Sequence, residues 1–112
     1  MQLDLPMLTY YQGPRLVAAD VISVIRTYRE AVRTCWDLRT RRHLTKRALA
    51  EATGLYATHL SDYLSELENK RELPARHIVA FENECGNRVI TQWIARQANL
   101  TILEQYIARA VA

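Results

Sequence analysis

With 112 residues, 49% of them hydrophobic, the chain has room for one domain and enough apolar content to build a core. Three glycines and three prolines punctuate it too sparsely for most β-architectures, while Ala, Leu, Arg, Glu and Gln favour helix interiors, so an all-α fold is expected. The net charge of +3 hides an asymmetry: residues 1–50 carry nine basic and four acidic side chains, residues 51–112 six and eight.

Residues 1–19 show no helical period. Leu3, Leu5 and Met7 alternate with polar residues, Tyr10 and Tyr11 follow, and Gly13-Pro14 signals a turn, so this stretch reads as an N-terminal arm or a short strand. It lacks the basic start and long apolar run of a targeting segment. Nowhere does the sequence sustain the roughly eighteen apolar residues of a membrane span. With two cysteines and no disulfide framework, a cytoplasmic setting is expected.

A single helix-turn-helix domain is expected over 20–112. Asp20 can cap a helix in which Val21, Ile22, Ile25, Tyr28, Ala31, Val32, Cys35 and Trp36 recur at helical spacing, with Arg26, Arg29, Glu30 and Arg33 on the other face. The stripe carries this helix to about residue 42. Thr45 then caps a short helix that Gly54 stops. Leu55 restarts an apolar pattern through Leu60, Tyr63, Leu64 and Leu67, ending near Asn69. Pro74 opens a further helix with Ile78, Val79, Phe81 and Cys85, closed by Gly86. Asn87 caps the next, with Val89, Ile90, Trp93, Ile94 and Gln97 on one side. Thr101 and Glu104 fit a capping box for a last helix over 101–112.

The segment 45–65 has a specific physical logic. Two helices meeting at a wide angle need a small residue at the approach, a positive-φ residue at the bend, and apolar side chains locking both. Ala50 and Gly54 supply the first two; Leu49, Leu55, Leu60 and Tyr63 supply the lock. Just before it, Arg39, Arg41, Arg42, Lys46 and Arg47 make a basic cluster of the kind that attracts phosphate.

On these residues, the stretch 45–74 resembles the lambda-repressor-like helix-turn-helix family of phage and bacterial regulators. Ala50 and Gly54 match its A-x-x-x-G core, Leu55 its buried position after the glycine, and Leu60 and Tyr63 its buried recognition-helix pair. The turn 69–74 is similar to its G-K-R-x-x-P stretch. The resemblance spans roughly 28–97, leaving the arm and the last helix without counterparts, and residues 65–68 lengthen the recognition helix. It implies a DNA-binding transcriptional regulator of phage or prophage type, most often a repressor, bound as a homodimer to an inverted-repeat operator. Base edges would then meet Tyr56, Ala57, Thr58, Ser61 and Asp62. Phosphates would meet Arg41, Arg42, Thr45, Lys46, Arg47, His59, Lys70 and Arg71. The alternative is a protein-interaction module of the same fold, antitoxin- or anti-repressor-like, that does not read DNA; the acidic Asp62, Glu66 and Glu68 suit it.

Other chemistries find little support. His43, His59 and His77 lack metal-ligand spacing, no Gly-rich phosphate loop or nucleophile elbow is present, and no enzyme activity, cofactor or small-molecule ligand is implied. Cys35 and Cys85 read as small buried hydrophobes, and Glu82 and Glu84 as surface charge near a helix end. Trp93, Ile102, Leu103, Tyr106, Ile107 and Val111 form an apolar C-terminal set expected to serve as a dimer interface.

Overall fold

The computed structural model describes residues 13–99, with Glu104 and residues 107–109. Among these the secondary structure is helical: α1 (Ala19–Ser23), α2 (Tyr28–Asp37), α3 (Lys46–Thr53), α4 (Ala57–Tyr63), a 3-10 turn (Ala75–His77), α5 (Ile78–Cys85) and α6 (Val89–Gln97). The fold is all-α. Ala31, Val32, Cys35, Leu49, Leu60, Phe81, Cys85, Val89 and Ile90 form its buried centre, which α2 to α6 all line.

The apolar stripe from Asp20 does not make one helix. α1 ends at Ser23, and the chain restarts at a capping box: the Thr27 hydroxyl accepts from the Glu30 amide, while the Glu30 carboxylate accepts from the Thr27 and Arg26 amides. Thr27-x-x-Glu30 supplies the side-chain partners that the orphan donors of a new first turn require. The indole N–H of Trp93 takes the Ile25 carbonyl at 3.1 Å, an acceptor that a through-running helix would need for Arg29. At the far end α2 stops at Asp37, not near residue 42. Buried Asn87 donates to the carbonyls of Cys35 and Leu38 and also accepts from the Val89 amide, so one amide side chain closes α2 and opens α6.

The stretch 13–18, expected to be part of an N-terminal arm or a short strand, lies on its own domain. Arg15 makes a parallel bridge with Asn87, and Val17 exchanges two hydrogen bonds with the side chain of Gln92. Residues 1–12 lie outside the described residues. So do Thr101 and most of the expected last helix, of which Glu104 and residues 107–109 are helical.

Glu82, expected at the surface, is fully buried. Its carboxylate accepts from the amide and hydroxyl of Thr91, both at 2.7 Å, and from Arg88 at 3.1 Å. A negative charge at the first turn of α6 is favourable because the orphan amides and the helix dipole meet it there.

Two glycines with positive φ end helices, and they differ in what surrounds them. Gly54 has φ 77° and open space where a Cβ would stand. Gly86 has φ 83°, and a Cβ there would come within 2.2 Å of the Thr40 hydroxyl oxygen. Gly54→Ala is therefore expected to cost only the left-handed backbone penalty, about 1–2 kcal/mol. Gly86→Ala should cost more, and adding Thr40→Ala should recover the excess but not the backbone part. Urea unfolding of the three variants checks this.

Candidate nucleic-acid interface

α3 begins where Thr45 accepts from the Ala48 amide, the expected N-cap. It ends at Gly54, whose left-handed conformation lets the amides of Gly54 and Leu55 both donate to the Ala50 carbonyl. Leu49, Ala50, Leu60 and Tyr63 are buried and Leu55 packs against them, so the helix, three-residue turn and helix are locked as their spacing predicts.

α4 is shorter than expected. It stops at Tyr63, residues 65–68 are not helical, and Leu67 is exposed. The cause is Arg29, expected on a solvated face but in fact 3% exposed. Its guanidinium donates to the carbonyls of Asp62 (2.7 Å), Ser65 (3.2 Å), Lys70 (2.5 Å) and Arg71 (3.2 Å). A longer α4 would need the first two oxygens for the amides of Glu66 and Asn69. Instead the Ser65 hydroxyl takes the Leu67 amide, and the chain turns. Burying a cation is costly unless its charge is met; here the carbonyl end of α4 meets it with the negative pole of its peptide dipoles. The Nε of Arg29 alone has no partner. Beside it, the Tyr28 hydroxyl donates to the Leu73 carbonyl at 2.7 Å.

The expected base-contacting residues separate into two groups. Tyr56, Ala57, Thr58 and Ser61 are exposed at the start and outer side of α4. Tyr56 is 72% exposed and its side chain caps nothing; its ring meets the edge of His59, 5.2 Å between centroids. His59, half-buried, also faces Tyr63, so the ring is partly committed inside the domain. Asp62 is set apart: its carboxylate lies 3.8 Å from Arg71.

The basic cluster divides as well. Arg39 stacks on Trp36 at 4.0 Å and donates to the Trp36 and Leu44 carbonyls. Arg41 pairs with Glu84 at 2.6 Å, and Arg47 faces Glu51 at 3.6 Å. Among the described residues Arg42, Lys46 and Lys70 have exposed side chains without a carboxylate partner. Lys70 and Arg71 stand beside the end of α4 because Arg29 binds their carbonyls.

Of the expected interface set, Trp93 is half-buried, packs on the core and spends its indole N–H on Ile25 of the same chain. Ile107 is exposed; Ile102, Leu103, Tyr106 and Val111 lie outside the described residues. Cys35 and Cys85 are fully buried. A hydrogen bond with Cys85, then burial, pushes the Cys35 thiol far above its ordinary range, which makes it a poor nucleophile. Among the described residues, no three His, Cys, Asp or Glu side chains gather as a metal site.

No protein-family model matches the chain, and neither a curated protein nor a solved structure is similar to it.

Arg29→Met should leave four inward carbonyls without their donor and cost about 3 kcal/mol or more. Arg29→Lys, with one ammonium in place of a two-pronged fork, should recover only part of it. Urea midpoints measure the loss, and hydrogen exchange should show residues 65–72 opening first. The Tyr28 hydroxyl gives a pH signature. Burial, then the charges of Glu72 and Glu82, raise it from 10.0 to about 12. The folded state thus favours the neutral phenol: its contribution is complete below pH 10 and lost as pH rises towards 12. Tyr28→Phe should flatten the fall in stability across that window, read by denaturant unfolding at stepped pH.

Proposed function

We propose that this protein is a sequence-specific DNA-binding transcriptional regulator, in which the outer face of α4 enters the major groove. The observation that carries this reading is the contrast at α4. Its inner residues Leu60 and Tyr63 lock it to α3, while Tyr56, Ala57, Thr58 and Ser61 stand exposed; along the chain the unpaired Arg42 and Lys46 precede them and Lys70 follows. A locked helix offering neutral side chains to base edges, with cations before and after it in the chain for phosphates, suits a duplex. In line with the family resemblance, the expected action is repression of a phage or prophage promoter in the cytoplasm. Two copies would bind an inverted repeat, because one seven-residue helix reads few base pairs. Exposed Ile107 and its apolar neighbours in sequence are the proposed contact between copies.

A second reading draws on the internal ion pairs. Arg41, Arg47 and Arg71 each face a carboxylate, and Tyr56 and Leu67 expose apolar surface, a combination that also suits a protein-binding module.

Salt dependence separates the two. Affinity for duplex DNA should fall with salt at a slope of about 0.9 per phosphate neutralised. Lys46→Ala and Lys70→Ala should each lower that slope by about one. Arg41→Ala, whose charge Glu84 already meets, should change it less. Fluorescence anisotropy across a salt series measures all four proteins; salt-independent or absent binding would favour the protein-binding module.

A further inference from the structure

The side chains that α4 exposes restrict which base pair they can distinguish. Reading guanine takes the paired donors of Arg or Lys, and reading adenine takes the amide of Asn or Gln. α4 carries none of the four. Reading the cytosine amino group takes a carboxylate, and the one on α4, Asp62, is turned towards Arg71 and half-buried. Hydroxyls such as those of Thr58 and Ser61 accept or donate with little discrimination. Ser61 moreover lies 3.4 Å from the Ala57 carbonyl, one turn back on its own helix.

What remains is apolar. Tyr56, Ala57 and Thr58 follow one another at the start of α4, all exposed, Tyr56 to 72%. An aromatic side chain so exposed, capping nothing and meeting only His59 in a T-shaped contact, contributes little to the fold. In the major groove one group distinguishes a base by apolar contact, the C5 methyl of thymine.

We infer that α4 recognises thymine by its methyl group, so that each half-site is specified by T·A pairs contacted by Tyr56, Ala57 and Thr58. The inference rests on the DNA-binding reading and adds to it the identity of the base. Lys46 and Lys70, exposed and without a carboxylate partner among the described residues, set the register on the phosphates; the methyls set the sequence. Specificity of this kind is shallow per base pair, since burying one methyl-sized group changes affinity about three- to fivefold.

The test is a selection with the full-length chain from a pool of random duplexes, followed by binding of the recovered duplexes with deoxyuridine replacing thymidine one position at a time. Uracil removes the methyl and keeps the pairing. Recovered half-sites should be rich in thymine, with a three- to fivefold loss at each contacted position on substitution. Tyr56→Ser/Thr58→Ser removes the protein's side of the contact while placing a good N-cap residue at 56. In that variant the uracil penalty should vanish at the positions it contacts. Half-sites that demand guanine and tolerate uracil would overturn the thymine assignment and leave DNA binding standing. A uracil penalty that persists unchanged at every position in the double variant would trace to duplex shape and also overturn it. Recovery of no sequence above the starting pool would overturn the inference and sequence-specific DNA binding together.

Discussion

The buried guanidinium of Arg29 is the interaction on which the end of α4 and the loop after it depend. Four carbonyl oxygens, from Asp62, Ser65, Lys70 and Arg71, converge on it. Together they fix where α4 ends and how the following loop returns. An arginine can do this because its planar fork presents several donors in fixed directions and keeps its charge when buried. Hydrophobic burial of Leu60 and Tyr63 holds α4 against α3, but apolar packing is non-directional and would not set the end of a helix. The direction comes from the guanidinium.

Two other polar side chains repeat this division of labour at the opposite end of the bundle. Asn87 joins the last carbonyls of α2 to the first amide of α6, and Glu82 receives the next donors of α6 together with Arg88. Each buried polar group sits at a helix terminus, where backbone donors or acceptors are left over by helix geometry. Apolar residues fill the interior between them. The helices are short, seven to ten residues from α2 to α6, and helices of that length have little stability in isolation. Their ends therefore matter as much as their faces.

That distribution explains what the sequence made legible. The all-α class followed from composition, and the unit from Thr45 to Tyr63 followed from Ala50, Gly54 and the apolar spacing, because each depends on local chemistry. Interruption of the first long stripe was also legible: Thr27-x-x-Glu30 is a start signal, outweighed by apolar spacing that ran through it. Arg29 had a fainter signal, lying four residues after Ile25 and three before Val32 on the buried stripe. Its partners are 33 to 42 residues away, and no local pattern announces carbonyl oxygens. Glu82 was misjudged for the same reason, since its partners lie six and nine residues on, across the turn at Gly86. The division of the basic cluster depended on Trp36, Glu84 and Glu51 being where the fold puts them. Charge counting along the chain cannot tell a cation facing solvent from one already paired.

The clamp around Arg29 has a bearing on how such a surface can change over generations. It binds main-chain oxygens, which every residue type possesses. The side chains at positions 62, 70 and 71 are therefore not specified by the contact that holds their backbone. Replacements there alter charge and hydrogen bonding at the edge of α4 while the path of the chain is kept. Drift at these sites is decoupled from the scaffold, and a lineage carrying this arginine can retune the border of α4 in single steps.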